Sequence, residues 1–193
     1  MAIGETHEGF STTHLSVIDG QGNAVALTAS NAWTFGSRLM VRGFILNNQL
    51  TDFAFRPNTR DGALIANRAM PGKRPRSSMA PTLVFDGRGR VVMAIGSPGG
   101  TSIIGYVTKA LIAALDWKLN IQSAVDSANF LSRNDGLRIE AGTRLEKMVP
   151  ALEKIGHQVK LFNRASGLNG IFVNEGGLEG GTDKRREGVA LGD

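Results

Sequence analysis

The 193-residue sequence predicts an α+β fold of segregated layers, and three observations lead there. Short runs alternating apolar and polar residues, the strand signal, recur up to residue 96. Apolar residues with helical spacing take over between residues 102 and 155, and short strand patterns return from residue 158. Strands, then helices, then strands again is not the order of alternating β-α units.

Thr13 to Asp19 alternates as a strand, Gly20-Gln21-Gly22-Asn23 turns, and Ala24 to Ser30 returns to complete a hairpin. Asn31 to Arg42 has mixed polarity around Gly36 and reads as a loop, followed by a short strand, Gly43 to Leu46. Arg56 to Ser78 is long, polar and broken by Pro57, Gly62, Pro71, Gly72 and Pro75; loops of that length are often functional. Thr82 to Asp86 and Val91 to Gly96 form a second hairpin around Gly87-Arg88-Gly89, leading into Ser97-Pro98-Gly99-Gly100. Ile103, Val107, Leu111, Ala114 and Leu115 predict a helix over Ser102 to Trp117. Asn120 caps a second helix, Ile121 to Ala128, and Gly156 ends a third, Leu145 to Ile155. Gln158 to Leu161, Gly170 to Val173 and Leu178 to Gly181 supply late strands, and there is no internal repeat.

Composition narrows the function classes. The hydrophobic share is 41%, ordinary for a globular chain. No apolar run is long enough for a membrane helix, since Ala110 to Leu115 is flanked by Lys109 and Asp116. Glu5, Thr6, His7 and Glu8 interrupt any signal-peptide pattern after Met1. With no cysteine, disulfides, thiolate metal sites and thiol catalysis are excluded, while the compartment stays open. The net charge of +5 is scattered over Arg38, Arg42, Lys73, Arg74, Arg76, Arg88, Arg90 and Lys184 to Arg186. With one tyrosine and two tryptophans there is little to stack bases on, so nucleic acid is not the expected partner. His7, His14 and His157 lack metal-ligand spacing, and His14 reads as structural.

Chemistry concentrates at Ser11 to Asp19, S-T-T-H-L-S-V-I-D. A threonine hydroxyl is a weak nucleophile at neutral pH and needs a base beside it. Cutting the peptide bond before Thr12 would create that base within the same residue, an α-amine whose ordinary pKa is ~7.7–8.0. Alone, a Thr-Thr pair at a strand edge is unremarkable.

Further segments follow in order: F-G-S-R-L-M, L-N-N-Q-L-T-D-F, K-R-P-R-S-S-M-A-P-T, G-S-P-G-G and a closing T-D-K-R-R-E-G. With them the chain resembles the small subunit of the γ-glutamyltransferases (γ-glutamyltranspeptidases), of the N-terminal-nucleophile hydrolase superfamily. The resemblance implies an αββα sandwich, of which this chain is the small-subunit portion. It implies self-cleavage between Ser11 and Thr12, then γ-glutamyl transfer or hydrolysis through Thr12, without metal or organic cofactor. Residues 1–11 then read as a remnant of the large-subunit linker and 12–193 as the catalytic domain. Ser30 takes the place of a threonine that hydrogen-bonds the nucleophile, and Gly99 and Gly100 match the oxyanion-hole pair. Ser77 and Ser78 match serines that hold the substrate α-carboxylate, Asp52 the carboxylate for its α-ammonium, and Asn48 and Gln49 line the same pocket. The donor would be glutathione or another γ-glutamyl compound, the acceptor an amino acid, a peptide or water.

The same resemblance implies a partner, a large subunit from one precursor, without which apolar surface would favour self-association. It also implies a dormant chain before cleavage, and a periplasmic or extracellular setting with a cytoplasmic one left open. One departure stands out: Ala32 occupies a position where the family often has a substrate-contacting asparagine. The stretch from Phe35 to Asn47 also reads as shorter than in the best-known members. Two alternatives therefore stay open: a related acylase acting on a different acyl group, and an unprocessed scaffold or basic binding module.

Overall fold

The computed structural model describes residues 11–163 and 165–192. In chain order the strands and helices are β1 (Thr12–Ile18), β2 (Ala24–Ser30), β3 (Met40–Val41), β4 (Phe44–Ile45), β5 (Thr82–Phe85) and β6 (Val91–Gly96). They continue with α1 (Ile103–Leu115), α2 (Ile121–Asp126), β7 (Phe130–Ser132), β8 (Leu137–Glu140), α3 (Val149–Lys154), β9 (Val159–Phe162), β10 (Asn169–Asn174) and β11 (Gly177–Thr182). The chain divides into two compact units. Residues 29–78, with Ser11 and Thr12, form one; residues 13–28 and 79–192 form the other.

The larger unit is built on an antiparallel sheet in the order β11-β10-β6-β5. Its central strand β6 is apolar throughout, because it is covered on both faces. Met93 and Ile95 point one way, into a core with Ile103, Tyr106, Val107 and Ala110 of α1 and Ile121, Ala124 and Val125 of α2. Ala94 and Gly96 point the other way, and a Cβ at Gly96 would run into the His14 ring of β1. Helices, a four-stranded sheet and the β1–β2 hairpin therefore stack as three layers. A separate sheet, β7-β8-β9, pairs β8 with β9 in parallel and packs Leu131 against α1.

The hairpin is inverted relative to a free-standing one. Along β1, His14 and Ile18 are buried while Thr13, Leu15 and Val17 face out. Leu15, Val17, Val25 and Leu27 are each between 44% and 51% exposed, so the outward face of the hairpin is apolar. Here the three layers end where a fourth, helical layer would complete the expected sandwich.

Several boundaries shift from the sequence reading. The first helix begins with a 3-10 turn at Gly100–Ser102 and ends at Leu115, and the second stops at Asp126, where Ser127 turns extended. The third is split, a 3-10 segment Arg144–Met148 preceding α3, with Pro150 in its first turn. The loop after Asn31 contains a small hairpin, β3–β4. Strands β7 and β8, of three and four residues, are additional to the sequence reading. Among the described residues no helix is long and apolar enough to cross a membrane. Of the proposed linker remnant, only Ser11 lies within the described residues; His7 lies outside them.

Candidate active site

The smaller unit joins Thr12 to its neighbours through one hydroxyl. Ser30, at the end of β2, places Oγ 2.9 Å from Thr12 Oγ1 and donates to the Ser11 carbonyl at 3.2 Å. It also accepts the Ala32 amide at 3.0 Å. Ser30 has one proton, so while it donates to Ser11 it must accept from Thr12. The Ser11 carbonyl, which belongs to the peptide bond preceding Thr12, takes a second hydrogen bond from the Asn31 amide at 3.1 Å. A chain of polarisation thus runs from the Thr12 hydroxyl through Ser30 to the carbonyl that Thr12 would attack.

A second cluster in the same unit gathers around Asp52. A 3-10 turn, Gln49–Asp52, brings the Gln49 amide onto Asp52 Oδ2. Asp52 is 2% exposed, and among the described residues its Oδ1 has no hydrogen-bond partner. Burial raises the carboxyl pKa, while the Gln49 hydrogen bond and the Arg76 charge pull it back. A buried, half-satisfied carboxylate is costly unless a cation completes it. Asn67 ties this cluster to the next segment, donating to the Asp52 carbonyl at 2.5 Å and accepting the Arg76 amide at 3.2 Å. Ser77 and Ser78 follow directly and are both engaged by neighbours. Asn48 Oδ1 accepts the Trp33 amide at 3.1 Å and so holds the loop after Ser30.

Ala32 itself is buried with φ 67°, in the left-handed region. Asparagine tolerates that conformation better than alanine does. The position thus retains a backbone shape suited to asparagine while its side chain carries no polar group.

In the larger unit, Gly99 (φ 140°) and Gly100 (φ 57°) sit at the junction of β6 and the 3-10 turn before α1. A Cβ at Gly99 would lie 2.6 Å from the Tyr106 ring. At a helix start the first amides lack intrahelical acceptors and carry the positive end of the dipole. The loop is braced from behind: Ser97 Oγ donates to the Pro98 carbonyl at 2.6 Å and accepts the Gly167 amide at 3.2 Å. Asp183 Oδ2 in turn accepts the Ser166 hydroxyl and the Leu168 amide. Arg185 bridges Asp183 and Glu140. None of Ser97, Ser166, Asp183 or Arg185 stands out as a site residue in the sequence; the motifs G-S-P-G-G and T-D-K-R-R-E-G contain three of them without indicating what they hold.

Two buried bases lie elsewhere in this unit. His14 places Nδ1 2.7 Å from Thr28 Oγ1 and Nε2 3.1 Å from Ser16 Oγ, and burial lowers its pKa to about 4. Lys109 donates to the carbonyls of Ala124, Val125 and Ser127; burial first, then Arg185, lowers its pKa to about 8. Among the described residues no group of three or more His, Asp or Glu is arranged to hold a metal ion.

The Gamma-glutamyltranspeptidase family model matches residues 1–193. The chain belongs to the γ-glutamyltranspeptidase family. It is 36% identical over 188 residues to a glutathione hydrolase proenzyme of Escherichia coli, a match covering 93% of this chain and 32% of the relative. The chain therefore spans about a third of the length of that relative. In structure it is similar to an acivicin-inhibited γ-glutamyltranspeptidase, with TM-score 0.79, 35% identity, and coverage of 91% of this chain and 99% of the matched one. A cephalosporin acylase from Bacillus halodurans is more distant, with TM-score 0.75, 25% identity, and coverage of 94% of this chain and 35% of the other.

Proposed function

We propose that this chain is the nucleophile-bearing part of an enzyme that cleaves itself before Thr12 and then transfers or hydrolyses γ-glutamyl groups. The observation that carries the reading is the hydrogen-bond chain from Thr12 through Ser30 to the Ser11 carbonyl. Thr12 Oγ1 attacks that carbonyl and its proton passes to Ser30, whose own proton goes to the developing oxyanion. Collapse breaks the C–N bond, the nitrogen takes the proton that the former oxyanion gives up as the carbonyl re-forms, and water hydrolyses the resulting ester. The α-amine of Thr12 is then free to serve as its base.

In the mature enzyme, Thr12 attacks the γ-carbonyl of a donor such as glutathione and expels the protonated amine. Water or an acceptor amine then takes the acyl group. The Gly99 and Gly100 amides are the proposed oxyanion donors. Asp52 Oδ1 is the proposed partner of the substrate α-ammonium, which accounts for its burial without a partner among the described residues. Ser77 and Ser78 are assigned to the α-carboxylate and Gln49 to the orientation of Asp52.

The uncleaved chain is dormant, because Thr12 has no free amine. The rest of a longer precursor, the large subunit, is the proposed cover for the apolar outer face of the hairpin; alone, the chain would self-associate through it. The acivicin-inhibited relative is described as having a C-terminus with critical roles in autoprocessing and catalysis. The bracing of the Ser97–Gly100 loop by Asp183 through Ser166 to Leu168 offers a physical route for such a role here. We propose a periplasmic or extracellular setting, to be checked by fractionation.

The test is mass spectrometry of the full precursor, looking for a species that begins at Thr12, followed by assay with γ-glutamyl-p-nitroanilide. No cleavage, or equal turnover in Thr12→Ala, would refute the reading. A second reading, a different acyl group, is favoured by Ala32 and by the similarity to a cephalosporin acylase. Faster turnover of glutaryl amides than of γ-glutamyl amides would select it. A scaffold or basic binding module predicts neither activity.

A further inference from the structure

We infer that His14 is a positioning residue for the proposed reaction, acting as a neutral wedge matched to the bare backbone of Gly96. The inference rests on the self-cleavage reading above. His14 is two residues from Thr12 along β1, and Gly96 ends the strand that leads to Gly99 and Gly100.

Gly96 is not a glycine for conformational reasons, since it is absent from the residues with positive φ. Its requirement is spatial. A Cβ there would come within 2.2–2.7 Å of the His14 Cε1, Nδ1 and Nε2 atoms. The ring occupies the space a side chain at 96 would need, and both its nitrogens are engaged on the hairpin by Thr28 and Ser16. The main chain of the same residue is held as well: Asn169 of β10, which pairs with Gly96 in the sheet, donates to the His14 carbonyl at 2.9 Å. Ring and carbonyl thus seat one residue of β1 on two adjacent strands of the sheet. Burial keeps the ring uncharged at neutral pH, so it contributes shape and hydrogen bonds, not charge. A wedge with these contacts sets how far β1 stands off β6, and placement errors near 1 Å can cost a reaction about 10²-fold.

The test is a double-mutant cycle in the full precursor, reading the rate of appearance of the species beginning at Thr12. Gly96→Ala should slow cleavage roughly 10²-fold. In mature protein it should lower kcat for γ-glutamyl-p-nitroanilide with little change in KM. His14→Ala should also be slow, but His14→Ala with Gly96→Ala should cleave faster than Gly96→Ala alone, because the new methyl then has room. A structural role alone would change the unfolding midpoint and leave the cleavage rate of folded protein at the parent value. Should Gly96→Ala fail to fold, His14→Ala carries the test: cleavage at the parent rate overturns the inference. A parent precursor that never cleaves refutes the reaction reading, and this inference with it. A cleaving parent with additive single variants refutes the inference alone.

Discussion

Replacing Ser30 with alanine in the full precursor separates a catalytic hydroxyl from a structural one. The hydroxyl makes three contacts: Thr12 Oγ1 at 2.9 Å, the Ala32 amide at 3.0 Å and the Ser11 carbonyl at 3.2 Å. The last is long for an O–H···O bond in the ground state. It gains most when the carbonyl oxygen becomes negative, which is the kind of interaction that lowers a barrier. Loss of one such donor costs about 2.7–4 kcal/mol at the transition state, so cleavage should slow ~10²–10³-fold. Folding should lose much less, since a hydrogen bond contributes ~0.5–1.5 kcal/mol net. The Ser11 carbonyl also keeps its bond from Asn31. A loss near 1 kcal/mol lowers the midpoint by roughly 2–4 °C in a chain this size. The assay is a time course of intact mass at a temperature where both proteins are folded. Ser30→Thr, which keeps the hydroxyl and adds a methyl, should stay within about tenfold of the parent. If Ser30→Ala cleaves at the parent rate, the relay through Ser30 is wrong.

Asp52→Asn should raise KM for γ-glutamyl-p-nitroanilide by ~10²-fold, the scale for truncating a buried charged partner. The same change should stabilise the apo fold at neutral pH. Because burial raises the Asp52 pKa in the folded state, the folded form holds its proton more tightly, and stability falls as pH rises through the window above 3.8. Denaturant melts of both proteins at acidic and neutral pH would show the difference vanishing in acid, and a less stable variant at neutral pH would sink the argument. For His14 the sign is opposite. Its folded pKa is depressed from 6.5 to about 4, so stability is full above 6.5 and is lost as pH falls toward 4; His14→Gln should flatten that limb of a stability–pH curve. Ala32→Asn should fit the φ 67° backbone without added strain and should shift turnover toward γ-glutamyl over glutaryl amides. Gly99→Ala should lose roughly 10²–10³-fold in kcat, because its methyl meets Tyr106 and would displace the proposed oxyanion donor.

What the sequence by itself determined was local. Alternation marked β1 and β2, Gly-Arg-Gly marked the turn between β5 and β6, and helical spacing marked α1, because each signal lies within a few residues. It also indicated the chemistry, since Thr12, Ser30, Asp52 and the paired glycines are recognisable types in a recognisable order. The β7–β8 hairpin was not legible, although β5 and β9 are about as short and were; β8 is also held by parallel pairing with β9, which no local pattern announces. Tertiary structure alone decided that Ser30 reaches back to the Ser11 carbonyl, that Asp52 keeps one oxygen unpartnered among the described residues, and that Asn48 holds the loop after Ser30. It also decided why Gly96 must be a glycine. That reason lies in an imidazole more than eighty positions earlier in the chain, and a steric requirement of this kind leaves no trace in local sequence.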